Sequence, residues 1–143
     1  MLKGILGFES LSLRHYLKMK VEISNGEILD KFSILEIKMS NISDPSKLKN
    51  IEREYKELYN DCTDLLRNPS INSLYSQLKS INQDLWKIED DIRECERRKE
   101  FDNEFISLAR KVYFTNDERA RVKKEINLTS GSELVEEKSY QAY

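Results

Sequence analysis

The sequence predicts an all-α protein, an antiparallel four-helix bundle with a C-terminal tail docked on it. Residues 71–99 carry apolar side chains at alternating steps of three and four, and only a helix gathers that spacing on one face. Two earlier segments repeat the spacing across short connections, which favours antiparallel neighbours. Hydrophobic residues make up 38% and charged residues 35%, with 4 Gly and 2 Pro, a balance typical of helices with charged outer faces.

The longest predicted helix, 70–98, should act as the spine of the bundle. Asn68-Pro69-Ser70 breaks the preceding helix and supplies a cap. At about 1.5 Å per residue the spine should be roughly 40 Å long. Its apolar face consists of Ile71, Leu74, Leu78, Ile81, Leu85, Ile88, Ile92 and Cys95.

Two shorter helices are predicted before the spine, at 25–41 and 45–67. Ser24 and Glu27 have the spacing of a capping box at the start of the first. Asp44-Pro45 starts the second, because Asp is a good N-cap and Pro fits the first helical position. Their apolar faces are Ile28, Phe32, Leu35, Met39 and Ile42 in the first, and Leu48, Ile51, Tyr55, Leu58, Cys62 and Leu65 in the second.

The fourth predicted helix, 103–128, is polar where the others are apolar. Thr115 and Arg119 interrupt its apolar face, and Asn116 lies beside them. Because Thr115-Asn116-Asp117-Glu118 also fits a capping box, a kink there is the alternative to one straight helix. Gly131 ends the helix, and we expect Tyr140 or Tyr143 of the tail to dock on the bundle.

Length and charge limit the classes of protein to which this chain can be assigned. The 143 residues suit one domain at 21–143, with 1–20 as an N-terminal extension or short helix. Since 24 basic and 26 acidic residues nearly cancel, no nucleic-acid partner is expected. No apolar run is long enough for a membrane helix, and 1–20 lacks a signal-peptide pattern, so we predict a cytoplasmic protein without a membrane partner. Cys62 and Cys95 both lie in apolar faces and should be reduced.

Chemical motifs are few. His15 is the only histidine and the glycines are isolated, so neither a metal site, a phosphate loop nor a cofactor is expected. Two weaker alternatives stay open. The paired carboxylates at Glu27 and Asp30, and at 89–91, are of the kind that holds Mg²⁺ in all-α pyrophosphohydrolases. Residues 108–126 have a faint helix-turn-helix pattern without the usual turn glycine.

The polar break in the fourth helix predicts the position of a site. If the last two helices form a hairpin, the break lies opposite one flank of the spine, which carries Asn82, Trp86, Glu89 and Arg93. A polar pocket there is one interpretation. Interhelical ion pairs on a solvated face are the ordinary alternative.

From residue 21 onward the chain resembles an uncharacterised family of short bacterial and viral proteins, a domain of unknown function. The resemblance is carried by VEISNGEILDKFSILEIKM, LWKIEDDIRECE, LARKVYFTNDERARVKKEIN and EEKSYQAY. Relatives are often encoded near glycan-building enzymes, so the resemblance implies a link to glycan or cell-surface synthesis. Its polar pattern falls on Ser24, Gly26, Glu27, Asp30, Lys31, Lys38, Trp86, Glu89, Arg93, Asn116, Asp117, Arg119, Lys123, Lys138, Ser139 and Tyr140.

These observations predict a non-catalytic helical module that binds a protein partner or self-associates, because continuous apolar seams need covering. The alternative is a protein or enzyme that binds a phosphorylated or sugar-nucleotide small molecule inside the bundle. Enzymatic activity is left open. The candidate ligand-binding residues are Lys31, Asn82, Trp86, Glu89, Arg93, Asn116, Asp117, Arg119, Lys123, Lys138 and Tyr140.

Overall fold

The computed structural model describes residues 19–143 and consists of four helices. They are Asn25–Asn41 (α1), Pro45–Leu66 (α2), Pro69–Arg98 (α3) and Asn103–Ser130 (α4). There is no strand within 19–143. The structure confirms the predicted all-α four-helix bundle, since α3 and α4 make the most extensive contact and α1 contacts all three other helices.

Polar side chains cap the helices where the sequence rules require them. Ser24 accepts a hydrogen bond from the backbone N–H of Glu27 at 3.2 Å, and Asp44 accepts one from that of Lys47 at 2.9 Å. At its C-terminus α4 ends on Gly131 with φ of 66°, the left-handed conformation that glycine adopts without strain. Local capping chemistry therefore sets the helix boundaries.

The second capping-box pattern is not used. α4 is continuous from Asn103 to Ser130, so one helix passes through Thr115 and Asn116 without the break given as an alternative. Thr115, Asn116 and Arg119 are half-buried. The polar side chains thus lie at the edge of the bundle without breaking the helix.

The main core lies where α1 crosses the other helices. Phe32 stacks on Tyr55 of α2, with ring centroids 4.6 Å apart and 7° between planes. Truncating such a buried aromatic side chain typically costs about 3–5 kcal/mol. The core residues are Leu29, Phe32, Cys62, Ile71, Tyr75, Leu78, Val122 and Ile126.

The spine helix buries a wider face than its apolar spacing predicts. Ile71, Leu78 and Cys95 of the predicted seam are buried, but so are Tyr75 and Asn82 on the adjacent flank. α1 covers that flank: its Glu36 accepts a hydrogen bond from the Tyr75 hydroxyl at 3.0 Å. The flank is therefore a helix–helix interface over its first half.

The two cysteines are both free and buried. Cys62 belongs to the main core, and burial raises the pKa of its thiol to about 12. A thiol with so high a pKa is a poor nucleophile.

Within residues 19–143, none of the helices combines the length and the apolar character needed to cross a membrane. The predicted extension at 1–20 lies, up to residue 18, outside the described residues, as does His15.

Candidate functional site: a closed polar junction and an open cleft on α4

Asp30 of α1 is the centre of a polar junction between three helices. Its carboxylate accepts two hydrogen bonds from Arg119 of α4, from Nε at 2.8 Å and from Nη2 at 2.5 Å. Asn82 of α3 donates to Asp30 at 2.9 Å and to the Ser33 hydroxyl at 2.8 Å. Asp30 is only 1% exposed. We call these four residues, Asp30, Ser33, Asn82 and Arg119, the junction.

A glycine brings α1 close enough to α4 to form the junction. A Cβ on Gly26 would lie 2.4 Å from the carbonyl oxygen of Lys123 and 2.9 Å from Oδ1 of Asn127. The Gly26 N–H instead donates to that Asn127 oxygen at 2.6 Å. Only glycine permits this approach, and one turn later Asp30 is in reach of Arg119.

The polar groups of the junction already bond to one another, which leaves few of them for a ligand. Hydrogen bonding to Asp30 raises the pKa of Arg119 above its ordinary value, so its guanidinium stays charged and paired. Its Nη1 points to Asn116, whose Oδ1 lies 3.4 Å away. A buried, bidentate pair of this kind holds helices in register.

Lys123 lies one turn further along α4 and joins α1 to the tail. Its ammonium donates to Glu27 at 2.6 Å and to Glu136 at 2.8 Å, and its side chain is 10% exposed. Burial disfavours its charged form, but the hydrogen bonds to Glu136 and Glu27 outweigh burial and raise its pKa. Lys123 is therefore a charged group at the boundary between the bundle and the tail.

The tail, residues 132–143, runs back along α4 without regular structure. Lys124 holds Glu137 at 3.0 Å, and the Tyr143 hydroxyl donates to Asp117. The Tyr143 ring meets that of Phe114 edge to face, with centroids 4.8 Å apart. The predicted docking of the tail is thus confirmed through Tyr143.

A cleft of about 940 Å³ lies between α4 and the tail. Tyr140 stands at its wall with 81% of its surface exposed, and the Lys138 ammonium lies 6.0 Å from the centre of the Tyr140 ring. We call this space the α4–tail cleft. Its lining includes Tyr113, Asn116, Ala120, Lys123, Lys138 and Tyr140.

Comparison with known proteins identifies the family. A model of a family of unknown function, DUF6165, matches residues 19–143. The chain belongs to this family. No curated protein and no solved structure matches it. Membership confirms the resemblance drawn from the sequence motifs.

In this DUF6165 chain the candidate residues divide into three groups. Asn82 and Arg119 meet at the junction, with Asn116 alongside. Asn116, Asp117, Lys123, Lys138 and Tyr140 line the α4–tail cleft. The rest, Lys31, Trp86, Glu89 and Arg93, take no part in the contacts that build either place.

The geometry of the helices explains why the third group stays apart. Lys31 pairs with Glu54 of α2 at 2.5 Å, because one residue beyond Asp30 is about 100° around the helix. Arg93 lies 11 positions after Asn82, roughly 16 Å along α3. It pairs with Glu89 at 3.4 Å on an exposed face. Arg93 thus pairs within α3, whereas Arg119 bonds to Asp30 of α1.

The candidate set from the sequence omits several residues that build these sites. Asp30, Ser33 and Glu27 anchor the cations of α4, and Glu136 joins the tail to Lys123. Glu27 and Asp30 were already in the polar pattern of the family resemblance, and Gly26 was a further signal, because a glycine in the first turn of a helix marks close backbone approach. Glu136 lies in a segment without periodicity, so its spacing carried no signal.

Proposed function

We propose that the protein is a non-catalytic binding module that holds a small molecule in the α4–tail cleft. The observation that carries this proposal is the cleft itself, a space of about 940 Å³ walled by a helix on one side and an anchored tail on the other. Small-molecule pockets typically have volumes of about 300–1,000 Å³. The cleft is at the upper end of that range.

The lining supplies the contacts that such a ligand needs. Tyr113 and Tyr140 present aromatic rings, while Asn116 and Lys138 present an amide and an ammonium group. Among the described residues Lys138 forms no ion pair and is free to bind a ligand group. Aromatic rings supply contact area for a ligand, and the polar groups beside them fix its orientation.

The junction supports the proposal by making one wall rigid. It fixes α4 against α1 and α3 through bonds that involve three helices. A wall that is already in place reduces the entropy lost when a ligand binds.

A binding role is favoured over catalysis because the nearby carboxylates already have partners. Asp117 accepts from Tyr143, Glu136 from Lys123, and Glu137 from Lys124. Glu27 and Asp30, the pair considered for Mg²⁺, are held by Lys123 and Arg119. A general acid or base must instead reach a reacting group of the substrate.

A protein partner or a second copy is the other candidate, and exposed apolar groups on α4 favour it. Ile106 is 53% exposed and Phe114 is 41% exposed. Arg110 lies over the Phe114 ring, 5.8 Å from its centre. Ile106 and Phe114 line one shallow depression with Arg110, and exposed apolar groups with a polar surround are a feature of interaction faces. The cytoplasmic location stays a prediction from the sequence.

A ligand screen tests the proposal. The full chain is titrated with nucleotides, sugar nucleotides and neutral oligosaccharides, and thermal stability and backbone amide NMR signals are followed. Sugar nucleotides are included because the family resemblance predicts a link to glycan synthesis. We expect at least one class to stabilise the fold and to shift the signals of Asn116, Lys123 and Tyr140.

Two variants localise the effect. Tyr140→Ala should weaken binding, whereas Phe101→Ala, which removes an exposed aromatic ring at the α3–α4 turn, should not. If no ligand shifts these signals while the protein dimerises with increasing concentration, the cleft is not the functional site and the α4 face takes its place.

A further inference from the structure

Glu136 lies among three cations at the inner end of the α4–tail cleft. Lys123 donates to its carboxylate at 2.8 Å. This hydrogen bond lowers the pKa of Glu136, and the charges of Lys138 and Arg119 act in the same direction. The carboxylate therefore occupies an electropositive place that the bundle has built.

The charges balance only while Glu136 is present. Lys123 is bonded to Glu27, and Arg119 to Asp30, both on α1. Lys138 has no carboxylate partner within 19–143. Removing Glu136 leaves three positive and two negative charges, with Lys123 nearly buried at 10% side-chain exposure. A partly buried excess charge attracts an anion.

We propose that the inner end of the cleft binds the anionic group of a ligand, a phosphate or a carboxylate, and that Glu136 occupies this place as an internal competitor. The inference rests on the proposed function of the cleft and names the chemistry of its ligand. The recognising donors are the ammonium groups of Lys123 and Lys138.

Lys123 has two acidic partners, and the structure indicates which of them a ligand anion can displace. Glu27 lies in the first turn of α1, which is fixed to α4 through Gly26 and Asn127. Glu136 lies on the irregular tail, and its neighbour Glu137 is tied to Lys124 by a pair that is 46% and 69% exposed. Exposed pairs contribute little to stability, so this part of the tail can leave α4 at low cost.

A ligand anion then replaces one set of charge-assisted hydrogen bonds by another. A phosphate offers several acceptor oxygens and can reach Lys123 and Lys138 together, which Glu136 does not do at hydrogen-bond distance. Because Glu136 is tethered beside its site, it competes at a high effective concentration. The tail thereby sets the ligand concentration that is needed for binding.

The test compares Glu136→Gln with its neighbour Glu137→Gln in the full chain. Inorganic pyrophosphate and malonate serve as probes, at constant ionic strength maintained with sodium chloride, and backbone NMR of residues 116–143 reports binding. We expect Glu136→Gln to bind at least one probe about tenfold more tightly than the unaltered chain. Glu137→Gln should differ little, and adding Lys138→Gln to Glu136→Gln should remove most of the gain.

The two probes also separate the sources of the anion, since preference for pyrophosphate assigns phosphate and preference for malonate assigns carboxylate. Equal affinities in Glu136→Gln, Glu137→Gln and the unaltered chain overturn the inference. If neutral ligands bind in the cleft regardless of Glu136, the proposed function stands and only the anion site fails.

Discussion

The two polar regions on α4 use the same residue types in opposite ways. At the junction, Arg119 meets an acidic side chain that is 2% exposed, and the partners come from packed helices. At the α4–tail cleft, Lys124 meets a carboxylate that is 69% exposed, and the partner comes from an irregular segment. The two regions are adjacent on α4. Packed helices cover the junction, whereas only the irregular tail covers the α4–tail cleft.

The comparison shows that the strength of an ion pair depends on whether the neighbouring helices exclude water from it. Once α1 has excluded water, each charged group at the junction requires its partner, because an unpaired buried charge is very unfavourable. On the tail side water remains a competing partner, so the same bond is weak and exchangeable. A closed structural pair and a ligand-accessible site can therefore lie a few residues apart.

The largest expected effect comes from breaking the junction. Asp30→Ala removes the buried carboxylate that pairs with Arg119 and one of the two acceptors of Asn82, and it should lower the free energy of unfolding by about 3–5 kcal/mol. Urea unfolding measures the loss. Asp30→Asn, which keeps the shape, should lose less, and Glu137→Ala, the exposed counterpart, should change stability very little. Equal losses for Asp30→Ala and Glu137→Ala would remove the distinction between the two regions.

A smaller but still clear effect is expected at Gly26. Helix propensity alone predicts that Gly26→Ala stabilises α1 by about 0.5–1 kcal/mol. The new Cβ would lie 2.4 Å from the Lys123 carbonyl oxygen, a backbone atom that cannot turn away. We therefore expect a net loss of about 1–3 kcal/mol.

Urea unfolding and the amide signals of Lys123 and Asn127 report this change. Gly131→Ala is the matched control, because a Cβ there meets nothing within 4 Å and only the positive φ of 66° is strained. It should leave the α1–α4 signals in place. A stabilised Gly26→Ala variant would show that the close approach is not required.

Acid should open the α4–tail cleft by breaking the bond between Lys123 and Glu136. The hydrogen bond from Lys123 lowers the pKa of Glu136 below the ordinary value of 4.5. The contribution of this bond is therefore complete above pH 4.5 and is lost as the pH falls through the lowered pKa. The amide signals of residues 123 and 136 should titrate in that window. Glu136→Gln should abolish the titration, and its persistence in that variant would assign it to another group.

The smallest effect on stability is expected from Tyr143→Ala. The Tyr143 hydroxyl donates to Asp117, and this hydrogen bond raises the pKa of Tyr143 to about 12. Because the ring is 73% exposed, the global unfolding transition should be unchanged while the end of the tail becomes mobile. Heteronuclear NOE values of residues 139–142 measure this mobility. A tail that stays rigid in the variant would show that the Lys123 and Lys124 contacts suffice.

Much of the fold follows from local rules, and the helix ends show why. Ser24 and Asp44 cap the helices that their patterns predict, since capping depends on backbone donors within three residues. The alternating seam predicts the buried face of α3 at Ile71, Leu78 and Cys95. The site is different: Asn116 and Arg119 were found from the interrupted seam and Lys123 from the family resemblance, whereas the spacing did not pair them with Asp30 or Glu136.

The sequence by itself determined the number and extent of the helices and part of their buried faces, because these depend on short-range periodicity and caps. Only the tertiary structure decided which polar residues are buried in the junction and which are accessible in the α4–tail cleft. The crossing of α1 at Gly26 placed Asp30 against Arg119, and the return of the tail placed Glu136 on Lys123. These contacts join residues 89 and 13 positions apart. Their strength depends on water excluded by the whole assembly of helices, which no local pattern records.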